Sequence, residues 1–355
     1  MPFGFKRNPV PDVKVTIGGT VLPPDAQRAL LDVGVQDDVD AASMFTLRFL
    51  CWDAEKLNLM WSDDRRYADR FALGTEVAIE LGYKGKLAEV MVGEITGVDI
   101  DVEGQRPTMT VRGYDGSHRM SRATRTRSFA DLTDAGIAAE IARDYGLTAE
   151  GTSDVKHPYV MQYNQTDLEF LRQRADLIAY EVMVQQKTLR FRPRSRPGPP
   201  AFSLSMSTDI LGLHLRLTAR DLVDKTEARG WDQKEKKAIV GRASAAQDDA
   251  MGGGTVGAES ARAAFSSATA VMVNVPVSTQ AEADQIARAA LAEQDRGFLT
   301  GEGICYGRAD LVAGITVDIT NFGRFGGPYE VVSTEHTYAP KQGYRTRFTV
   351  RRNAV

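Results

Sequence analysis

Four carboxylates near alternating runs, Glu302, Asp310, Asp318 and Glu330, are the first residues with readable chemistry. Two carboxyl groups flanking a bond can act as acid and nucleophile, the equipment of a glycoside hydrolase. Outward strand positions are polar by default, so the same four are read first as a solvated face. Asp37-Asp38 and Asp63-Asp64 read as turn residues. His118, His157, His214 and His336 lie in four separate segments, with no HExxH and no His-x-His pair, whereas a metal centre needs several convergent ligands. Cys51 and Cys305 sit far apart in apolar runs and read as two buried thiols. No GxSxG elbow, Walker loop or GxGxxG is read in the chain, and Gly252–Gly254, in a low-complexity stretch, is not read as a phosphate loop. These residues predict a non-enzymatic chain with no catalytic residues, no cofactor and no metal.

Two arginine series remain: Arg119, Arg122, Arg125 and Arg127, then Arg190, Arg192, Arg194 and Arg196. Like charges along a strand discourage edge-to-edge aggregation. The same residues could instead contact an acidic protein, since arginine is enriched in interfaces. Nucleic-acid readout is the weaker reading. The formal net charge is −3, and interleaved aromatic residues for base stacking are not read as a pattern, Phe191 between Arg190 and Arg192 standing alone.

The elements that would position these groups follow from periodicity. With 355 residues, 43% hydrophobic and 26% charged, the chain is long enough for two or more cored domains. Residues 10–115 read as all-β, with short alternating runs separated by Gly-rich turns. Residues 52–70 break that rhythm and read as a long loop with a helical turn. Ile137, Ile141 and Tyr145 mark a helix closed by Gly146. Residues 201–240 return to strands, with Leu211, Leu213, Leu215 and Leu217 in alternation. Residues 241–270, rich in Ala, Ser and Gly, read as a mobile loop or insertion. Thr279 and Glu282 have capping-box spacing at the head of a helix that Gly297 closes. The remainder alternates again. No signal-peptide core and no membrane-length run is present, so synthesis and assembly are expected in the cytoplasm.

The most specific stretch is 159–192, YVMQYNQTDLEFLRQRADLIAYEVMVQQKTLRFR. Thr166 and Glu169 have the spacing of a capping box, and Leu168, Leu171, Ala175 and Ile178 form one apolar stripe. The pattern Gln162, Asn164, Thr166, Asp167, Glu169, Phe170, Leu171, Arg174, Ala175 resembles the late control protein D family of phages. It is also similar to the N-terminal hub part of type VI secretion VgrG spike proteins. Two further blocks carry the resemblance: EITGV (94–98) with VRGYDGSHRMSRATRTRSFAD (111–131), and TDAGIAAEIA (133–142) with Tyr145-Gly146-Leu147.

The resemblance implies a mainly β chain with α+β insertions. Two tail-tube-like antiparallel β-barrels and a small α/β unit would form a trimer with pseudo-sixfold symmetry. The expected divisions are 1–116 for the first barrel, 117–200 for the inserted α/β unit, and 201–240 with 297–355 for a discontinuous second barrel. Residues 241–296 would be a flexible insertion plus helix. The implied function is a structural hub of a contractile tail or injection-system baseplate, joining a hexameric inner tube to a trimeric spike. The chain ends directly after the second barrel, so the spike is expected on a separate chain. Inner tube and baseplate wedge proteins are further expected partners, with Arg119, Arg122, Arg125, Arg127, Arg190 and Arg192 as candidate protein contacts. Two other readings stay open: a peptidoglycan-degrading tail hydrolase, and a glycan- or receptor-binding β module.

Overall fold

The computed structural model describes residues 10–53, 58–59, 70–102, 107–185, 187–194, 199–232, 235–245 and 250–355. The expectation of a mainly β chain is borne out: 52% of residues are in strands and 20% in helices. Of the proposed loop over 52–70, residues 54–57 and 60–69 lie outside the described residues, as do Asp63 and Asp64.

The chain divides into two compact units. The first contains residues 1–118, 304–313 and 333–348. The sequence boundaries assigned 297–355 wholly to a second barrel; two of its segments instead group with the N-terminal strands. Within this unit, Ser333–Tyr338 pairs antiparallel with Leu30–Asp38. The ladder continues antiparallel through Met44–Leu50, Thr108–Tyr114, Lys86–Asp101, Glu76–Tyr83 and Pro11–Ile17. Alternation decides which faces are inside. Val13, Val15 and Ile17 pack with Phe45, Leu47, Phe49, Val77, Ile79 and Leu81 in one core that also takes in Tyr344. A six-residue helix, Pro24–Ala29, opens with Pro24 at N1, where proline's missing N–H costs nothing. It interrupts what the sequence suggested was all strand. Asp37 is a strand residue, not a free turn residue. Its carboxylate accepts from the Ser43 hydroxyl (2.8 Å) and the Ala313 N–H (3.0 Å), while burial pushes its pKa up.

The second unit contains residues 119–303, 314–332 and 349–355. A two-stranded ribbon pairs Thr124–Thr133 with Lys156–Thr166. Helices Asp134–Asp144 and Asp167–Leu177 each follow one ribbon strand, and Ile137, Ile141, Phe170 and Leu171 share one core with Phe129, Leu189 and Phe191. The strands Thr148–Gly151, Tyr180–Gln185 and Thr188–Pro193 form a small mixed sheet. A second three-stranded sheet, Lys225–Asp232, Lys237–Ser244 and Thr269–Met272, packs on helix Gln280–Arg296. Strand Ile210–Leu217 lies at the end of its sheet beside Leu299–Tyr306.

Residues 241–270 differ from the expected loop. Strand Lys237–Ser244 runs into them, helix Gly257–Phe265 forms, and a short strand follows; residues 246–249 lie outside the description. Small side chains permit this by close packing rather than signalling mobility. A Cβ on Gly241 would fall 2.1 Å from the Ala283 backbone, and one on Gly257 2.6 Å from the Phe298 side chain.

Candidate functional site

The hallmark segment is built around one buried carboxylate. Asp167 begins its helix and is fully buried. It accepts hydrogen bonds from Arg127 Nη2 (2.6 Å), Tyr145 Oη (2.7 Å) and Gln162 Nε2 (2.8 Å). Arg125 Nε stands 3.4 Å away. Asp144, in the other helix, takes Nη1 of both Arg125 and Arg127 at 2.8 Å. Burial, and then the bond to Asp167, pushes the Tyr145 hydroxyl up to about 12, so it remains a donor. A buried anion is tolerable only when its oxygens are satisfied this fully.

Each hallmark residue has a local task. Thr166 caps the helix: its Oγ1 accepts from the Glu169 N–H (3.2 Å), and the Glu169 carboxylate accepts from the Thr166 N–H (2.9 Å). Gln162 Oε1 accepts from Arg127 Nε (2.9 Å), and its Nε2 also donates to the Gln165 carbonyl (3.0 Å). Asn164 lies at φ 46°, where the ribbon register shifts, and its N–H donates to Thr126 Oγ1 (3.1 Å). Asparagine visits this left-handed region more readily than most side chains, which accounts for its place in the bulge. Phe170 stacks on Phe129 at 5.7 Å, and Leu171 and Ala175 are core.

Arg174 leads to a second charged cluster. Its Nε donates to Asp134 Oδ1 (2.7 Å). Asp134 Oδ2 lies 3.0 Å from His157 Nε2, and Glu282 Oε1 lies 3.3 Å from His157 Nδ1. Burial, and Arg174 Nη2 at 2.9 Å from Nε2, would keep this imidazole neutral, but the two carboxylates outweigh both and lift its pKa to about 9. The quartet then balances two cations against two anions. Glu282 does not complete the expected reciprocal box: Thr279 accepts from the Glu282 N–H, but the Glu282 carboxylate takes the Ser278 N–H (2.8 Å). His336 is the opposite case: burial outweighs the Leu311 backbone and Asp310 and pushes its pKa down to about 4.

The remaining expected residues fall as follows. Arg190 meets Glu150 (3.0 Å) and Arg192 meets Glu181 (2.6 Å), while Arg119 and Arg122 are exposed. Arg194, read with them as a strand-surface residue, is instead buried and ion-pairs with Asp176 and Glu293; Arg196 lies outside the described residues. Glu330 is likewise no solvated-face residue: it is buried against Arg351 Nε at 2.9 Å. Asp310 is held by Arg308, and Glu302 is exposed. A cleft of about 720 Å³ opens between helix Gln280–Arg296 and the ends carrying Arg194, Glu330 and Arg351. Its cations are answered by Glu293 and Glu330. Among the described residues, no group of three or more His, Cys, Asp or Glu is placed to hold a metal, and no helix is long and apolar enough to cross a membrane.

Gly252, Gly254 and Gly257 do have the GxGxxG spacing, and a helix follows them. Its N-terminus is already engaged: the Ala258 N–H donates to Asp295 Oδ1 (2.6 Å) and the Gly257 N–H to the Asn353 carbonyl (2.9 Å). A carboxylate of the chain itself stands where a phosphate would have to bind.

Against the family of proteins described as Alg8 N-terminal domain, the sequence matches over residues 7–339. The chain belongs to that family. A search of curated proteins finds no sequence match. Among solved structures, this Alg8 N-terminal domain chain is similar to the 43 kDa tail protein of prophage MuSo2 from Shewanella oneidensis. The TM-score is 0.72 at 13% identity, covering 96% of this chain and 98% of that one. It is similar to the tail protein from Neisseria meningitidis MC58, with TM-score 0.68, 12% identity and 96% coverage of both chains. It also resembles the E. coli c3393 protein, described as a type VI secretion component with structural similarity to T4 bacteriophage tail proteins gp27 and gp5. There the TM-score is 0.59 at 11% identity, over 96% of this chain and 77% of that one. At these identities the likeness establishes the fold, which is that of phage tail proteins.

Proposed function

We propose that this protein is a non-enzymatic structural hub of a contractile tail or injection-system baseplate. The observation that carries the reading is the likeness to phage tail proteins over nearly the whole of both chains. Three copies form a ring of pseudo-sixfold symmetry, each contributing two tube-like barrels, and the ring joins the hexameric inner tube to a trimeric spike. Wedge proteins of the baseplate surround it, and assembly takes place in the cytoplasm before the particle is complete. The charged clusters support this reading because their cations and anions are spent on one another. They fix the geometry of a scaffold and leave little for substrate chemistry.

Light scattering tests the assembly directly. The expected mass is three times the 38.9 kDa chain, either alone or on adding the spike protein. A mass that stays at one chain across concentrations and with the spike present rejects the hub. Clearing of cell-wall material by the purified protein, abolished by Glu302→Gln or Asp310→Asn, would replace it with the hydrolase.

A further inference from the structure

Two strands keep one side open. Residues 96–101 are the distal half of strand Lys86–Asp101. Their Thr108–Tyr114 neighbour lies on one side, while the Glu76–Tyr83 strand reaches only as far as Glu94. Strand Ile210–Leu217 ends its sheet. Among the described residues no strand pairs with either free side. The two edges are close in length and opposite in chemistry. On the first, Val98, Ile100 and Val102 alternate with Asp99 and Asp101; on the second, Leu211, Leu213, Leu215 and Leu217 alternate with His214 and Arg216. The first row is exposed, with Ile100 at 57%; on the second, Leu211 (43%) and Leu217 are exposed while Leu213 and Leu215 are half-buried. Soluble proteins rarely leave such edges bare, since the free N–H and C=O groups invite another strand.

We infer that the 96–102 edge of one copy pairs with the 210–217 edge of the next, giving an intermolecular β-ladder with one apolar and one charged face. The occupant is a second copy of this chain, because complementary edges both lie on it. Backbone hydrogen bonds supply the ladder, the valine, isoleucine and leucine rows meet on one face, and Asp99 and Asp101 meet Arg216 and His214 on the other. Asp99 also touches Arg112 (3.1 Å), on its already paired side, which leaves the edge itself free. Two different surfaces joined in this way make a heterologous contact, the kind that closes into a ring. The inference rests on the hub reading for its closure at three copies.

The test uses charge reversal in the full chain, with circular dichroism to confirm folding. Asp99→Lys with Asp101→Lys, and separately His214→Glu with Arg216→Glu, are each expected to lower assembly at least tenfold in concentration. All four changes in one chain restore the trimer. Mixing the two double variants gives mixed pairs and open chains but no closed trimer, because matched edges then alternate between chain types and a ring of three cannot close with every edge matched. A trimeric wild type whose mass is indifferent to either double variant overturns the ladder and leaves the hub intact. A wild type that never assembles, with or without the spike, overturns both.

Discussion

At the scale of single residues, the chain spends its charge inward. Asp167→Asn keeps the shape but leaves Arg127 without its closest anion. Breaking one side of a buried pair typically costs about 3 kcal/mol or more, and the urea midpoint should fall accordingly. His157 gives a pH dependence of definite sign. Its folded pKa of about 9 stands above the usual 6.5, so its contribution is complete below pH 6.5 and is lost as pH rises through 9. The full span is on the order of 3 kcal/mol. Thermal melts from pH 6 to 10 should show stability falling on the alkaline side, and His157→Gln should flatten that slope. An unchanged slope in the variant would place the titration elsewhere.

At the scale of elements, close approach matters more than propensity. Gly241→Ala should be poorly tolerated, because strand Lys237–Ser244 runs directly beneath helix Gln280–Arg296 and the added methyl would overlap the Ala283 backbone. Overpacking of this kind costs roughly 1–3 kcal/mol. In the ribbon bulge, Asn164→Ala should lose about 1 kcal/mol, while Asn164→Gly should be nearly neutral, since only the left-handed backbone is at issue. Denaturant titration of the pair separates backbone strain from loss of the side chain. Alternation made strands such as Pro11–Ile17 and Ile210–Leu217 legible, and Thr166 with Glu169 marked a helix start in the sequence itself. Helix Gly257–Phe265 was not legible, because its Ala, Ser and Gly content is that of a linker and its order comes from Phe298 and Asp295, far along the chain. The charged clusters were hidden for the same reason. Arg125 and Arg127 look like a solvated row until Asp144 and Asp167 fold over them, and no local pattern joins His157 to Glu282.

At the scale of the whole molecule, the two units are each assembled from distant stretches of chain. A chain truncated after residue 297 should therefore lose more than its C-terminal strands: the Leu30–Asp38 strand would be stripped of its Ser333–Tyr338 partner and the N-terminal core of Tyr344. Limited proteolysis of that shortened protein should cut within residues 30–50, which the full chain protects. The same interleaving sets a timetable for biosynthesis. Proteins usually let an N-terminal domain fold while the rest is still being made. Here the first unit waits for Phe348, some 230 residues after His118, or about 10–50 s at ordinary translation rates. For that interval a nascent chain carries an incomplete, apolar sheet, which makes it a natural client for a ribosome-associated chaperone.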